Sequence, residues 1–152
     1  MRFFPIILVL WFGTAVAQDK PALRVVVEGI GTEAAACGMS QTALESLAVQ
    51  ALGKHGIAAS TDPKAPYLYL NVNAYRVMSG AKVVGCTTRL GVSVRASAEA
   101  APAVRGFKSR TGAYVALCDA GRLLSGSLRE VPRAVNKAFE EDIQACLNQL
   151  SY

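Results

Sequence analysis

From Pro66 to Val77 the chain alternates, with Leu68, Leu70, Val72 and Ala74 at one parity and Tyr67, Tyr69, Asn71, Asn73 and Tyr75 at the other. A period of two is that of a strand with one buried face. The short turn "MSGAK" leads into a second alternating run at 83–97. There Cys86, Thr88, Leu90, Val92 and Val94 share one face and Arg89, Ser93 and Arg95 the other, so the two runs predict a hairpin. Upstream, the β-branched run within residues 22–30 predicts a strand, and residues 111–119 predict another, followed by a glycine-containing link. Two stretches carry the helical period instead. In residues 42–57, Leu44, Leu47, Ala48, Ala51 and Leu52 fall on one stripe, Thr42 and Glu45 have the form of a capping box, and Gly56 supplies the stop. In residues 132–150, Val135, Phe139, Ile143, Cys146, Leu147 and Leu150 form the apolar stripe, and Pro132 fits the first turn.

The resulting order is β-α-β-β-β-α. It predicts an α+β, two-layer sandwich: a mainly antiparallel four-stranded sheet, its first strand parallel to a neighbour, with two helices on one face. The other face is left open.

The first twenty residues follow neither period. Arg2 precedes an apolar stretch from Phe3 to about Phe12, and Ala15-Val16-Ala17 has the small-x-small form read by signal peptidase. The stretch is shorter than the roughly 20 residues that cross a bilayer. Residues 1–17 are therefore expected to be a signal peptide and residues 18–152 a single exported domain, periplasmic or secreted. Without the leader, which holds only Arg2 among the charged residues, the 16 basic residues become 15 against 11 acidic. So mild an excess, with no long basic run, argues against nucleic acid as a partner.

All four cysteines, Cys37, Cys86, Cys118 and Cys146, lie in the exported part. An even number of widely spaced thiols in an oxidising compartment predicts two disulfides rather than a zinc site or redox pair. Of the three pairings, strand direction favours Cys37 with Cys86: the first strand ends near Cys37, and a parallel second strand rises to the same end before the hairpin returns through Cys86. Cys118 is then left for Cys146.

Candidate chemistry is sparse. Gly29-Ile30-Gly31 with Ala34 follows a strand as in a dinucleotide-binding turn, but the helix predicted from Thr42 starts about a dozen residues too late to meet a pyrophosphate. No acidic residue stands about 20 positions on to hold a ribose. Ser79 and Lys82 match S-x-x-K, but they fall at a hairpin tip, where no helical turn stacks the lysine beneath the serine. His55 is the only histidine and sits at a helix end, and Asp19, Asp62, Asp119 and Asp142 are scattered. No catalytic, cofactor-binding or metal-ligating residue is assigned, and no cofactor is expected.

The open sheet face remains. Tyr67, Tyr69, Asn71, Asn73 and Tyr75 lie opposite Arg89, Ser93 and Arg95, with Arg24 and Tyr114 as further members. Tyrosine and arginine are enriched where proteins bind each other, and with asparagine they also suit sugars. The sequence thus predicts a non-catalytic binding or accessory module whose partner is an envelope protein or glycan. Tyr67, Tyr69, Asn71, Asn73, Tyr75, Arg89 and Arg95 are its binding residues. The alternative is an exported enzyme or enzyme inhibitor acting through loops. A weaker patch surrounds Phe107, with Arg105, Lys108 and Arg110.

A helix closing on "HGI", a hairpin strand "PYLYLNVN" and a long C-terminal helix after an exported leader resemble the small periplasmic α+β domains of the bacterial envelope, of the lipopolysaccharide-assembly and transporter-auxiliary lipoprotein type. The resemblance covers most of residues 22–150 and implies an envelope role. It carries over no functional residue, and Gln18 stands where such lipoproteins have the cysteine that receives the lipid.

Overall fold

The computed structural model describes Lys20, residues 22–97 and residues 114–150. The expected leader and the Phe107 patch lie outside the described residues. The elements are β1 (Arg24–Val27), α1 (Thr32–Ala36), α2 (Gln41–Lys54), β2 (Tyr67–Ser79), β3 (Lys82–Ser97), β4 (Tyr114–Gly126) and α3 (Val131–Gln149). The strands form one sheet in the order β1-β2-β3-β4, with β1 parallel to β2 and the other neighbours antiparallel. This is the expected α+β class with a mixed sheet.

The core forms where the period-two faces meet the helical stripes. Leu68, Leu70 and Val72 of β2 and Leu90, Val92 and Val94 of β3 are buried together with Leu44, Ala48 and Leu52 of α2 and Val135, Phe139 and Ile143 of α3. Among the described residues Phe139 is the largest side chain that is fully buried. At roughly 1.5–3 kcal/mol for each large apolar side chain taken out of water, these twelve positions dominate the driving force for folding.

Three details differ from the sequence reading. The cap of α2 is Ser40, whose hydroxyl accepts from the Ala43 backbone N–H, and not Thr42. A short extra helix, α1, follows the glycines directly, because "TEAAA" is a run of strong helix formers. The link expected after Asp119 continues as strand to Gly126. Its glycines hide that continuation: a Cβ at Gly121 would sit 2.6 Å from the Leu90 carbonyl oxygen, so the close approach of β3 and β4 requires glycine there.

Covalent and ionic ties fix the layers. Cys37 is bonded to Cys86 and Cys118 to Cys146, with Cα separations of 6.1 and 5.4 Å. The Arg76 guanidinium grips Glu33 of α1 in a two-point contact, Nε to Oε2 at 2.7 Å and Nη2 to Oε1 at 2.6 Å, which holds the Glu33 carboxyl below its ordinary range. At the opposite edge Arg122 of β4 donates to buried Asp142 of α3 and to Glu141 at 2.8 Å. A carboxylate buried without such a partner would be strongly destabilising.

Candidate functional site: the open face of the sheet

All helices of the described residues pack on one side, so the alternation of β2 sends Tyr67, Tyr69, Asn71, Asn73 and Tyr75 to the other. Strand register then sets rows across the sheet. Tyr67 stands beside Arg95; Tyr69 beside Ser93 and Asp119; Asn71 beside Gly91 and Gly121; Asn73 beside Arg89 and Leu123; Tyr75 beside Thr87 and Ser125. Arg24 lies next to Tyr67 through the parallel pairing of β1. Every residue assigned to the face from sequence is therefore on one surface, but in three distinct environments.

One end is a self-packed cluster. The Tyr67 ring meets those of Tyr69 and Tyr114 edge-on, at centroid distances of 6.5 and 5.9 Å. The Arg24 guanidinium lies 5.3 Å from the Tyr67 centroid and that of Arg95 lies 4.1 Å from Tyr69, distances at which a cation is drawn to the ring quadrupole. Arg95 Nε also donates to Ser93 Oγ at 2.9 Å. The Tyr69 hydroxyl donates to Glu28 Oε2 at 2.6 Å. That bond, together with burial and the nearby negative charge, raises the Tyr69 phenol above its ordinary pKa. Tyr67 and Tyr69 are consequently half-buried, and their rings are committed to neighbours within the chain.

The middle is polar and low. Asn73 Nδ2 donates to Asn71 Oδ1 at 2.7 Å, while Gly91 and Gly121 leave their row without side chains on β3 and β4. A Cβ at Gly91 would meet nothing nearer than Asn71 Cβ at 3.8 Å, an ordinary contact, so packing does not demand glycine at that position.

The far end is the accessible part. Tyr75 is 68% exposed, Leu123 is 68% exposed, and Arg89 beside them is exposed and without an ion pair among the described residues. Tyr114, 69% exposed, is the accessible ring at the cluster end. Glu28, Asp119 and Leu123 belong to the face but were not assigned to it from sequence. Glu28 follows β1 where no alternation continues, and the glycines of β4 disguise the strand that carries the other two.

The remaining sequence motifs are placed as follows. Ser79 and Lys82 face each other across the hairpin end, and His55 terminates α2. The glycine turn does meet a helix at once, contrary to the reading from sequence. That helix has five residues and carries Glu33 in its first turn, a charge that repels phosphate. Among the described residues no three His, Cys, Asp or Glu side chains gather as a metal site.

Among the described residues these features define a small two-layer α+β arrangement with helices on one face of the sheet and none on the other. No protein-family model matches the chain, and no curated protein sequence matches it. Among solved structures it is similar to rare lipoprotein B from Shewanella oneidensis, with a TM-score of 0.41, 10% identity, and 82% of this chain and 91% of that one covered. It is also similar to a minor lipoprotein from Acinetobacter baumannii, with a TM-score of 0.35, 14% identity, and 85% and 87% of the two chains covered.

Proposed function

We propose that the protein is an exported, non-catalytic accessory module of the cell envelope. It binds an envelope protein or glycan on its open sheet face, at the end formed by Tyr75, Arg89 and Leu123. The observation that carries this reading is the exposure of an aromatic ring, a guanidinium and a leucine in adjacent rows of a face that no helix covers among the described residues. Tyrosine and arginine combine large contact area with hydrogen bonding, which suits an anchor for a partner. Export rests on the leader-like first 17 residues and on two disulfides, bonds that persist in oxidising compartments. Tyr67, Tyr69 and Arg95 serve this site as its scaffold, and Asn71 and Asn73 as its polar floor.

The test is photo-crosslinking in the native compartment from position 123, with position 49 on α2 as the control and mass spectrometry of the adduct. A specific adduct is expected from position 123 and none from position 49. Tyr75→Ser combined with Arg89→Ser should abolish the adduct, while stability changes by only about 0.5 kcal/mol for each exposed substitution. Equal yields from both positions, or yields unaffected by the double substitution, would overturn the assignment.

A further inference from the structure

The hairpin of β2 and β3 runs beyond the domain that supports it. β1 pairs with β2 only as far as Leu70, and β4 pairs with β3 only as far as Cys86. Past the Arg76–Cys86 pair the hairpin is a two-stranded ribbon with no further strand at either side among the described residues, closed by Gly80 at φ 61°. Gly85 is still buried against Gly126, and the two residue pairs beyond it, Met78 with Val83 and Ser79 with Lys82, project by about 7 Å at the rise of a strand. Water is an unfavourable surrounding for what it carries. Val77 is 41%, Met78 51% and Val84 44% exposed, and Val83 is half-exposed. A bulge between Val77 and Met78 separates these side chains, with Val77 continuing the open face of the sheet and Met78 the helix-side parity. The ribbon is thus apolar on both faces. A flat protein surface would cover one of them, whereas a fluid apolar medium surrounds both.

The charge of the hairpin is one-sided as well. From Pro63 to Ser97 the chain has Lys64, Arg76, Lys82, Arg89 and Arg95 and no aspartate or glutamate. Arg76 is taken by Glu33, but Lys82 stands exposed at the ribbon's end and forms no ion pair among the described residues. Its methylene stem can lie along the valines while the ammonium stays at the level of phosphate groups.

We propose that this ribbon seats in the interface of an anionic lipid bilayer, with Val77, Met78, Val83 and Val84 among the upper acyl carbons and Lys82 against the headgroups. The projection of about 7 Å lies within the roughly 5–10 Å depth to which amphipathic surface elements enter a bilayer. Apolar burial and attraction to anionic lipid act together in such a contact, so both should be needed. Among the described residues no helix is long and apolar enough to cross a membrane, and the ribbon holds the protein to a bilayer surface without spanning it.

The test is flotation of the exported chain with vesicles of phosphatidylglycerol and phosphatidylcholine in equal parts, and with vesicles of phosphatidylcholine alone. Tyr75 and Arg89 are left unaltered, so the result does not depend on the sheet-face reading. The protein should float with the anionic vesicles only and be released by high salt. Met78→Ser combined with Val84→Ser should weaken the binding at least about tenfold, and Lys82→Gln should weaken it and reduce its salt dependence. A Val84→Trp variant gives a second readout. Trp11, in the expected leader, is the chain's single tryptophan, so after cleavage the new indole is the sole one and its emission should shift to the blue on anionic vesicles. Failure to float with anionic vesicles, equal flotation with both kinds, or binding unaffected by the Met78 and Val84 substitutions in a variant that unfolds like the parent would each overturn the proposal. An acidic protein that competes for the ribbon in the absence of lipid binding would overturn it in favour of a protein partner.

Discussion

The Arg95 guanidinium lies over the Tyr69 ring, 4.1 Å from its centroid, although the residue paired with Tyr69 in the strand register is Ser93. Arg95 reaches its ring diagonally, and its Nε bond to Ser93 holds it in that position. With Glu28 receiving the Tyr69 hydroxyl, the ring is fixed from above and at its edge.

That arrangement has an alkaline signature. Tyr69 is held above its ordinary pKa of 10.0, first by the hydrogen bond it donates to Glu28, then by burial and by the Glu28 charge. A raised pKa for a group that is neutral when protonated means that the stabilisation is complete below the unfolded value and is lost as pH rises through the folded one. Phenolate absorbance should therefore show a late-titrating component that disappears in Tyr69→Phe and moves towards pH 10.0 in Glu28→Ala. Arg95→Met, which keeps bulk but removes the cation, should cost about 0.5–1 kcal/mol by denaturant unfolding. An unchanged late component in Glu28→Ala would show that the hydrogen bond is not its cause.

The disulfides close loops of different length, with sequence separations of 49 for Cys37–Cys86 and 28 for Cys118–Cys146. Chain entropy alone gives each roughly 3–4 kcal/mol, the longer loop slightly more. Replacing either pair by alanines should lower stability by that order in chemical denaturation. Both Cys86 and Cys146 are fully buried, so some of the loss will come from packing. Non-reducing peptide mapping of the exported chain should yield these two linked peptides and no free thiol.

The glycines of one row should respond oppositely to the same substitution. Gly121→Ala places a methyl 2.6 Å from the Leu90 carbonyl oxygen and must push β4 from β3, at a cost of about 1–3 kcal/mol. Gly91→Ala meets only the Asn71 Cβ at 3.8 Å, so it should be neutral or stabilise by about 0.4–1 kcal/mol through the unfolded chain. Thermal unfolding of the two variants compares them directly, and equal effects would mean that the closeness of β3 and β4 at this row is not what selects glycine.

The alternation of Tyr67–Val77 and of residues 83–97 determined by itself that these segments are strands, which faces they bury and which side chains share the open face, because side-chain direction in a strand depends only on residue parity. The stripes of α2 and α3 were legible for the same local reason. The direction of β1 and β2 also placed Cys37 near Cys86, since a parallel pair ends on one side. Elsewhere, contacts made across the chain decided. The glycines that read as a link after Asp119 belong to a strand because β3 lies too close for a Cβ at Gly121, and no residue near Gly121 in sequence records that distance. Ser40 rather than Thr42 caps α2 because the turn through Gly38, at φ 82°, sets where the helix begins. Tyr67 and Tyr69 look as available as Tyr75 in sequence, yet they are half-buried by Arg24, Arg95, Glu28 and Tyr114. Those partners lie 26 to 47 residues away from the tyrosines they touch. Parity assigns a side chain to a face; only the register of neighbouring strands decides whether that side chain is already occupied.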